Sequence, residues 1–291
     1  MKPEASKIMS ILSIGCTKHT PYPMNLISLL AISFILLMVI LAYCLPCILA
    51  LDPNSTSEHL LYPPGVMFSD GKHYFLGTDD LGRDVLSRLV FGARNTLSIG
   101  FFVVILSLVV GSMLGFLASV YGGFLHFSIG YFNDLMMSFP SILLTILLLA
   151  LLGPGIITTV IAVTIVAIPG FIRVTSTVAT EEMKKDYITA AHSFGLSRFK
   201  ILSSELFPNC IAAIMVQATF AFSDAILTVS LLGFLRLGVS PPMAEWGSML
   251  ADAYQLMESS PYLVIFPGLC IFFTVLAANL LGDQLLDQRG R

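Results

Sequence analysis

Long hydrophobic stretches with almost no charge alternate with short polar segments along most of this chain. A helix that crosses a membrane needs about 20 mostly apolar residues. Two early stretches meet this condition without any acidic or basic side chain, and they predict membrane helices near 26–49 and 97–120. The second stretch contains Gly111 and Gly115, whose spacing lets two helix backbones approach closely. The alternative is that these small residues only face lipid.

The stretch between Asp134 and Glu181 is too long for one helix, although Arg173 is its only charge. The sequence Gly153-Pro154-Gly155 divides it, because proline lacks an amide donor and glycine favours turns. The remaining pattern completes a set of six predicted membrane helices, of which the last four lie near 131–152, 156–178, 209–233 and 259–282.

Composition supports an all-α membrane protein. Hydrophobic residues make up 56% of the 291 residues and charged residues only 11%, with a mean hydropathy of +0.88 and a net charge of −3. A soluble domain carries roughly 25% charged residues, so a soluble enzyme and a disordered chain are excluded. A nucleic-acid partner is excluded as well, because phosphate contacts need a basic surface. Lipid leaves no backbone group unpaired, which favours helices.

The lysine and arginine residues favour an orientation with both termini in the cytoplasm. Cytoplasmic segments of membrane proteins carry the excess of these residues. With the amino terminus inside, ten of the 15 lie on the cytoplasmic side and five on the outer side. The inner residues are Arg173 and those of segments 1–25, 121–130, 179–208 and 283–291.

The outer loop 50–95 carries acidic and basic residues in a regular order. Asp79 precedes Arg83 by four residues, and Asp84 precedes Arg88 by the same step. On a helix this step places both members of a pair on one face. The pattern predicts a structured, ion-paired cap on the outer surface; a solvated run of charges is the alternative.

Turn-forming residues surround these charges. Gly77 and Gly82 permit tight turns, and Thr78 or Asp79 could cap the helix that follows. The motif is therefore expected to fold into turns that lead into a helix.

The inner loop 179–208 is more patterned than a simple connection requires. Small residues at Ala190 and Ala191 leave a shallow surface that another protein could approach. Gly195 is suited to end a short helix, and Pro208 is suited to the first turn of the next one. We expect a short helix along the cytoplasmic face, held between two membrane helices, that transmits force between a soluble partner and the membrane helices.

This inner segment resembles the signature of permease subunits of ATP-binding-cassette (ABC) importers. Those subunits carry Glu-Ala-Ala, three residues, Gly, nine residues and Ile-x-Leu-Pro. Here Thr189-Ala190-Ala191, Gly195 and Glu205-Leu206-Phe207-Pro208 keep the spacing, with departures at three positions. The resemblance implies that the segment is a coupling helix seated in a groove of an ATPase. The coupling residues would be Asp186, Tyr187, Thr189, Ala190, Ala191, Gly195 and Pro208.

The outer motif from Gly77 to Arg88 resembles the hallmark of the dipeptide, oligopeptide and nickel importers, and most of all their dipeptide permease C-type subunit. Gly233-Phe234-Leu235, Pro241–Gly247 and Asn279–Asp283 add further matches. The motif residues singled out are Gly77, Thr78, Asp79, Gly82, Arg83, Asp84, Glu245 and Trp246. The resemblance implies a type I ABC importer permease fold with six transmembrane helices. Its segments would be the cytoplasmic 1–25, helix 26–49, periplasmic loop 50–95, core 96–283 and cytoplasmic tail 284–291.

Such permeases work with other chains. The resemblance implies a second, homologous permease subunit, two ABC ATPase subunits and a periplasmic solute-binding protein, in a bacterial inner membrane. No lysine is followed by serine or threonine, so the chain has no phosphate-binding loop of the Walker A type. ATP and Mg²⁺ would be used by the partner subunits. We expect this chain to be non-catalytic and to bind no cofactor or metal.

Charged residues inside a membrane are functional candidates. Asp224 lies in the outer part of the fifth predicted span, and Gln217, seven residues earlier, is roughly on the same helix face. We expect this face, with Ser223, to line the translocation path; a buried structural hydrogen bond is the alternative. Asp134 is a further candidate, with an interfacial helix cap as the alternative.

Glu245 and Trp246 follow two prolines on the last outer loop. Tryptophan favours membrane interfaces, so an anchor is one interpretation. A dock for the binding protein, or a segment that covers the channel mouth, is the other.

The sequence predicts a permease that forms half of an ATP-driven import path for short peptides. Nickel complexes, haem, antimicrobial peptides and polyamines remain alternative substrates. A stand-alone channel or secondary transporter is the alternative outside this family, although no related halves are visible. An intramembrane enzyme is disfavoured, because His-Glu-x-x-His and Gly-x-Ser-x-Gly are both missing from the sequence.

Overall fold

The computed structural model describes residues 26–49, 51–65 and 74–289. The predicted cytoplasmic segment 1–25 lies outside these residues. So do 66–73 of the predicted outer loop and the last two residues of the predicted tail.

The described residues form helices joined by loops, and their only β-type pairs are two isolated bridges, Thr56 to Arg83 and Thr78 to Asp84. A π-helical turn, Leu202–Leu206, joins α7 to α8, and a 3₁₀ turn, Tyr254–Leu256, follows α9. The helices are α1 (Leu26–Leu49), α2 (Val85–Tyr121), α3 (Gly123–Met137), α4 (Ser141–Leu152), α5 (Ile156–Glu182), α6 (Asp186–Ser193), α7 (Arg198–Ile201), α8 (Phe207–Phe234), α9 (Trp246–Ala253) and α10 (Tyr262–Arg289).

Five helices are long and apolar enough to cross a membrane, and the count reaches six if α3 and α4 together form one bent span. The predicted all-α membrane fold is confirmed for this part of the chain. The single predicted helix 131–152 is wrong, because α3 and α4 meet at an angle of 91°. The break contains Phe139 and Pro140, and a proline disfavours helical geometry in the residue before it.

The second span begins earlier than predicted. Helix α2 starts at Val85, not near 97, and it runs for 37 residues. Asp84 caps its amino terminus by accepting a hydrogen bond from the backbone amide of Ser87 at 2.8 Å. The cap lets the helix form in the polar outer loop and continue into the apolar stretch.

Helices α2 and α5 pack with their backbones in close approach. A β-carbon built at Gly111 would lie 2.5 Å from the Phe171 Cβ, and one at Gly115 would lie 2.7 Å from the Thr175 Cβ. Only glycine fits at these two positions. The close helix contact predicted from their spacing is confirmed, and the lipid-facing alternative is wrong.

The outside of the helix assembly is apolar. Helix α1 exposes large side chains such as Leu36, Leu37 and Ile48, and α2 exposes Phe101 and Phe102. A water-facing surface of this kind would be unstable, whereas lipid tails solvate it without cost. These faces are therefore the lipid-contacting surface of a multi-pass membrane protein.

Candidate translocation cavity, coupling segment and outer motif

A cavity of about 530 Å³ opens between α4, α5 and α8, with the break after α3 at its edge. Its walls are mostly apolar, with a few hydroxyl and amide groups and one carboxylate. The lining residues are Met136, Met137, Phe139, Ser141, Ile142, Leu144, Thr145, Val163, Val166, Ala167, Pro169, Gly170, Gln217, Ala221, Asp224, Ala225, Leu227 and Thr228.

Two of the four predicted path residues line this cavity. Gln217 and Asp224 lie on the same face of α8, as their spacing predicted, and both contribute to the wall. Ser223 faces away from the cavity: its hydroxyl donates to the backbone carbonyls of Thr219 and Val275, each at 3.4 Å. Asp134 is exposed on α3 and is not part of the wall. The structure thus brings together one pair and separates the other two.

Gly195 ends the short inner helix α6 in the way its sequence context predicts. Its φ is +79°, in the left-handed region that favours glycine. The amide of Gly195 donates to the His192 carbonyl at 2.9 Å, and the amide of Leu196 donates to the Ala191 carbonyl at 3.2 Å. These two bonds form a Schellman motif that satisfies the last carbonyls of the helix.

Helix α6 is fixed at its amino-terminal end by a polar contact to two membrane helices. The Tyr187 hydroxyl donates to the Glu182 carboxylate at the end of α5, and the Asn209 amide at the start of α8 donates to the Tyr187 oxygen at 3.1 Å. Lys185 adds an ion pair to Glu182 at 2.8 Å. Burial raises the pKa of the Tyr187 hydroxyl, and the hydrogen bond and charge of Glu182 raise it further. The tyrosine therefore stays a neutral donor.

The opposite side of this inner segment is exposed and partly apolar. Asp186 and Thr189 are exposed, and Ala190 and Ala191 are half-buried. Phe194 and Phe199 are each 75% exposed, which is unusual for phenylalanine outside a lipid-facing surface. Ile188 points the other way and is buried in the core beneath α6. The segment thus exposes small and aromatic side chains on one side, while Ile188 and Tyr187 attach its other side to the membrane helices.

Pro208 does not separate the inner segment from the membrane helix. The chain is helical from Arg198 to Phe234, because the wider π-helical turn at Leu202–Leu206 leads directly into α8. Proline removes one backbone donor, and Pro208 lies in the first turn of α8, directly after the π-helical turn. The continuous helix therefore connects α7 directly to the part of α8 that carries Gln217 and Asp224.

Glycine is required at two turns of the outer motif. Gly77 and Gly82 have φ values of +84° and +70°, and a β-carbon at either would lie 2.2 Å or 2.1 Å from a backbone oxygen, of Tyr62 or Ser57 respectively. The Thr78 side chain accepts a hydrogen bond from the Tyr62 amide at 2.9 Å. These contacts fold the motif back on the preceding loop, which confirms the tight turns predicted there.

The ion pairs of the outer motif differ in part from the predicted ones. Asp79 pairs with Arg83 at 2.6 Å, as expected, but it lies in a turn and not on a helix. Asp84 does not pair with Arg88 and is itself the helix cap, so the capping roles predicted for Thr78 and Asp79 are wrong. The Arg88 guanidinium instead lies 3.6 Å from Asp79 and 3.8 Å from Asp252.

Glu245 and Trp246 are fully buried, so neither is available as a membrane anchor or as a dock. The Trp246 ring nitrogen donates to the Leu89 carbonyl at 3.1 Å. The Glu245 carboxylate accepts from the Gly247 and Ser248 amides at 2.8 Å and 2.9 Å and from the Thr96 hydroxyl at 3.2 Å. Burial raises the pKa of the Glu245 carboxyl, although these hydrogen bonds oppose the rise. Both residues tie α9 to α2.

Asp252 is a residue that the sequence reasoning missed. Its carboxylate lies 2.9 Å from Arg236 and within 4 Å of Arg83 and Arg88, so it joins the last outer loop to the outer motif. No local spacing signals this contact, since Asp252 is more than 160 residues from the arginines of the motif. The Phe139-Pro140 break was missed as well, although a proline in an apolar run could have indicated it.

Comparison with known proteins agrees with this arrangement. Residues 107–289 match the family of binding-protein-dependent transport system inner membrane components. The chain belongs to this family. The match covers the cavity, the inner segment and the last outer loop, whereas the outer motif from Gly77 to Arg88 precedes it.

Several relatives are similar over most of their length. A di/tripeptide transport system permease protein DppC of Pseudomonas aeruginosa is 43% identical over 255 residues, which is 87% of this chain and 84% of the relative. The dipeptide transport system permease protein DppC of Escherichia coli K12 is 40% identical over 79% of this chain and 77% of its own length. The family resemblance noted from the motifs is therefore confirmed.

The fold also matches solved transporter structures. One chain of the MetNI methionine ABC transporter, in an inward-facing conformation, superposes with a TM-score of 0.58 at 18% identity, covering 69% of this chain and 95% of that one. At this identity the likeness shows the fold alone. The fold is that of an ABC importer permease.

Proposed function

We propose that this chain is the permease subunit of an ATP-driven, binding-protein-dependent importer and forms half of the path for short peptides across the inner membrane. One observation carries the proposal: a continuous helical rod runs from Arg198 to Phe234. Its inner end borders the exposed segment α6, and its middle carries the cavity residues Gln217 and Asp224. A push at the inner end thereby reaches the path.

The inner segment is the coupling site for an ATPase. Phe194 and Phe199 supply exposed apolar surface, Ala190 and Ala191 allow close approach, and the Tyr187 contact holds α6 to both α5 and α8. A soluble partner would bury the two phenylalanine side chains, and the removal of their apolar surface from water would stabilise the complex. ATP and Mg²⁺ belong to two partner ATPase chains, and this chain binds no cofactor.

The remaining partners follow from the open side of the cavity and from the family. A second, homologous permease closes the cavity, and a solute-binding protein delivers peptide on the periplasmic side. If α3 and α4 form one span, the even number of spans puts both termini on one side of the membrane. The excess of lysine and arginine residues in the inner segments, ten of 15, supports the cytoplasm as that side. Peptide is the preferred substrate because relatives at 40–43% identity are described as dipeptide or di/tripeptide permeases.

Purification and reconstitution test this proposal. The tagged chain, extracted in mild detergent, should bring down a second permease and two ATPase subunits, and proteoliposomes of the complex should accumulate labelled Ala-Ala only with ATP and binding protein. Recovery as a homo-oligomer that transports without ATP would contradict the proposal and favour a channel or secondary transporter.

A further inference from the structure

Asp224 is the only charged residue among those that line the cavity. Its side chain is exposed to that space, and no described residue forms a hydrogen bond or ion pair with it. It lies in the second half of α8, within the apolar span. The described part of the chain therefore holds one unpaired carboxylate directed into the translocation cavity.

An unpaired charge at this depth lowers the stability of the protein, and a charged residue in such a position is therefore a candidate for a functional role. Acidic residues within membrane helices are rare and are normally paired or turned toward a pathway. A protein cation that neutralised Asp224 would leave the carboxylate satisfied but unable to bind anything that passes. Its unpaired state suits a transient partner of opposite charge.

We infer that Asp224 binds the amino-terminal ammonium group of the peptide during its passage, an inference that rests on the proposed function. An ammonium group offers three donors, and a carboxylate accepts them through charge-assisted hydrogen bonds. Every unmodified peptide carries this group whatever its side chains, so a single carboxylate serves substrates of many sequences.

The second polar group of the same helix face fits the length of such a substrate. Gln217 lies seven residues before Asp224, which at 1.5 Å per residue places it about 10 Å away along the helix axis. An extended peptide spans roughly 3.3–3.6 Å per residue. An extended tripeptide held at Asp224 therefore reaches the level of Gln217, whereas a dipeptide, at about 7 Å, ends short of it. The neutral amide of Gln217 adds no charge preference.

The rest of the cavity places few demands on side-chain chemistry. Its walls are mainly aliphatic, with Met136, Met137 and Phe139 at the break between α3 and α4. The volume of about 530 Å³ lies in the range of pockets that take small molecules.

The test removes the carboxylate by substitution and the ammonium group by acetylation, separately and together, and compares the effects on uptake. The whole importer with its binding protein is reconstituted with wild-type chain, Asp224→Asn, Asp224→Glu or Asp134→Asn, and uptake of Ala-Ala and N-acetyl-Ala-Ala is measured. Asp134 is an exposed carboxylate on α3 outside the cavity wall, so D134N is the matched control for the loss of a charge. The binding protein is the same throughout, so differences between variants report the permease.

We expect D224N to slow Ala-Ala uptake by about tenfold, because a charge-assisted contact becomes a neutral one. Uptake of N-acetyl-Ala-Ala should change less than twofold, since that peptide lacks the ammonium group. D224E should keep most of the Ala-Ala rate, and D134N should keep both rates within about twofold. Stimulation of ATP hydrolysis by loaded binding protein should survive in every variant.

Several outcomes would overturn the inference. Unchanged Ala-Ala uptake in D224N, or an equal loss for both peptides, would show that the carboxylate does not act on the ammonium group. Failure of D224N to assemble would show that the carboxylate has a structural partner, which contradicts the unpaired state on which the inference depends. If the binding protein does not deliver N-acetyl-Ala-Ala, uptake of Ala-Ala alone tests the inference. D224N should then be slow and D224E close to the wild type, and equal rates in the two variants would contradict the inference. A wild-type importer that fails to take up Ala-Ala with ATP would instead overturn the proposed function itself.

Discussion

Single residues control how the inner segment is held. Gly195 combines a left-handed backbone with open space around its Cα, since a β-carbon there would meet no atom within 4 Å. The requirement for glycine is therefore conformational and not steric. Tyr187 acts differently, because its hydroxyl joins the ends of α5 and α8 through Glu182 and Asn209. Both residues fix the shape of the inner segment, which is the proposed coupling site.

Replacing Gly195 by valine should abolish ATP-driven uptake while the chain still inserts in the membrane. The left-handed conformation costs an L-residue roughly 1–2 kcal/mol, and β-branching adds to it, so the end of α6 and its two terminal hydrogen bonds are lost. Uptake of labelled Ala-Ala in proteoliposomes and the amount of membrane-inserted chain are the measurements.

Gly195→Asn is the matched control for this change. Asparagine tolerates the left-handed region, so G195N should keep most of the uptake although it adds a side chain of similar size. Normal uptake by Gly195→Val, or equal losses in both variants, would mean that the geometry at the end of α6 is not what matters.

At the scale of whole elements, the pairing of α2 with α5 depends on the two glycines at its contact. The α3–α4 pair behaves in the opposite way, because its bend widens the space between elements and leaves room for the cavity. Sequence predicted the first feature from Gly111 and Gly115, and it missed the second because Pro140 was not weighed as a break. Close contact and open cavity thus arise from small residues in one place and proline in another.

Gly111→Ala should lower the stability of the permease by about 1–3 kcal/mol through overpacking. The new methyl group would lie 2.8 Å from the backbone oxygen of Ile168, which cannot rotate away, so α2 and α5 must separate. The fraction of assembled importer that stays in solution after heating in detergent measures the effect.

Gly130→Ala is the control on α3. No atom lies within 4 Å of a β-carbon at Gly130, and alanine is the better helix former, so its stability should be equal to or above that of the wild type. A Gly111→Ala protein as stable as this control would show that the close approach of α2 and α5 is not required.

At the scale of the whole molecule, buried and half-buried polar groups connect segments that are far apart in sequence. Glu245 and Trp246 join the last outer loop to α2, and Asp252 joins it to the outer motif. A β-carbon at Gly233 would lie 2.0 Å from the Glu245 carboxylate, so Glu245 also packs closely against α8. The outer face is therefore one connected structure.

Glu245→Ala should destabilise the importer by about 2 kcal/mol or more. It removes the cap of α9 and leaves two backbone amides and the Thr96 hydroxyl without their buried acceptor. Glu245→Gln keeps one acceptor oxygen and should lose less. Thermal inactivation in detergent checks the order of wild type, E245Q and E245A.

Glu258 provides the control for charge removal. It is an exposed carboxylate five residues after the end of α9, so Glu258→Ala should leave the inactivation temperature unchanged. If E245A were as stable as E258A, the buried Glu245 carboxylate would contribute nothing to holding α9 against α2.

The sequence by itself determined the features that depend on local order. Apolar runs specified where the membrane helices lie, the glycine spacing in α2 indicated a close helix contact, and Gly195 specified where α6 ends. Hydrophobic length, helix period and left-handed turns are properties of a few neighbouring residues. They can therefore be read without knowing what lies across the molecule.

Only the tertiary structure decided the features that depend on distant partners. It buried Glu245 and Trp246, paired Arg88 with Asp252 in place of Asp84, and separated Ser223 and Asp134 from the cavity that Gln217 and Asp224 line. Each outcome depends on which helices pack together and at what angle. Side-chain packing across the membrane helices sets these angles, and no short segment of sequence contains that information.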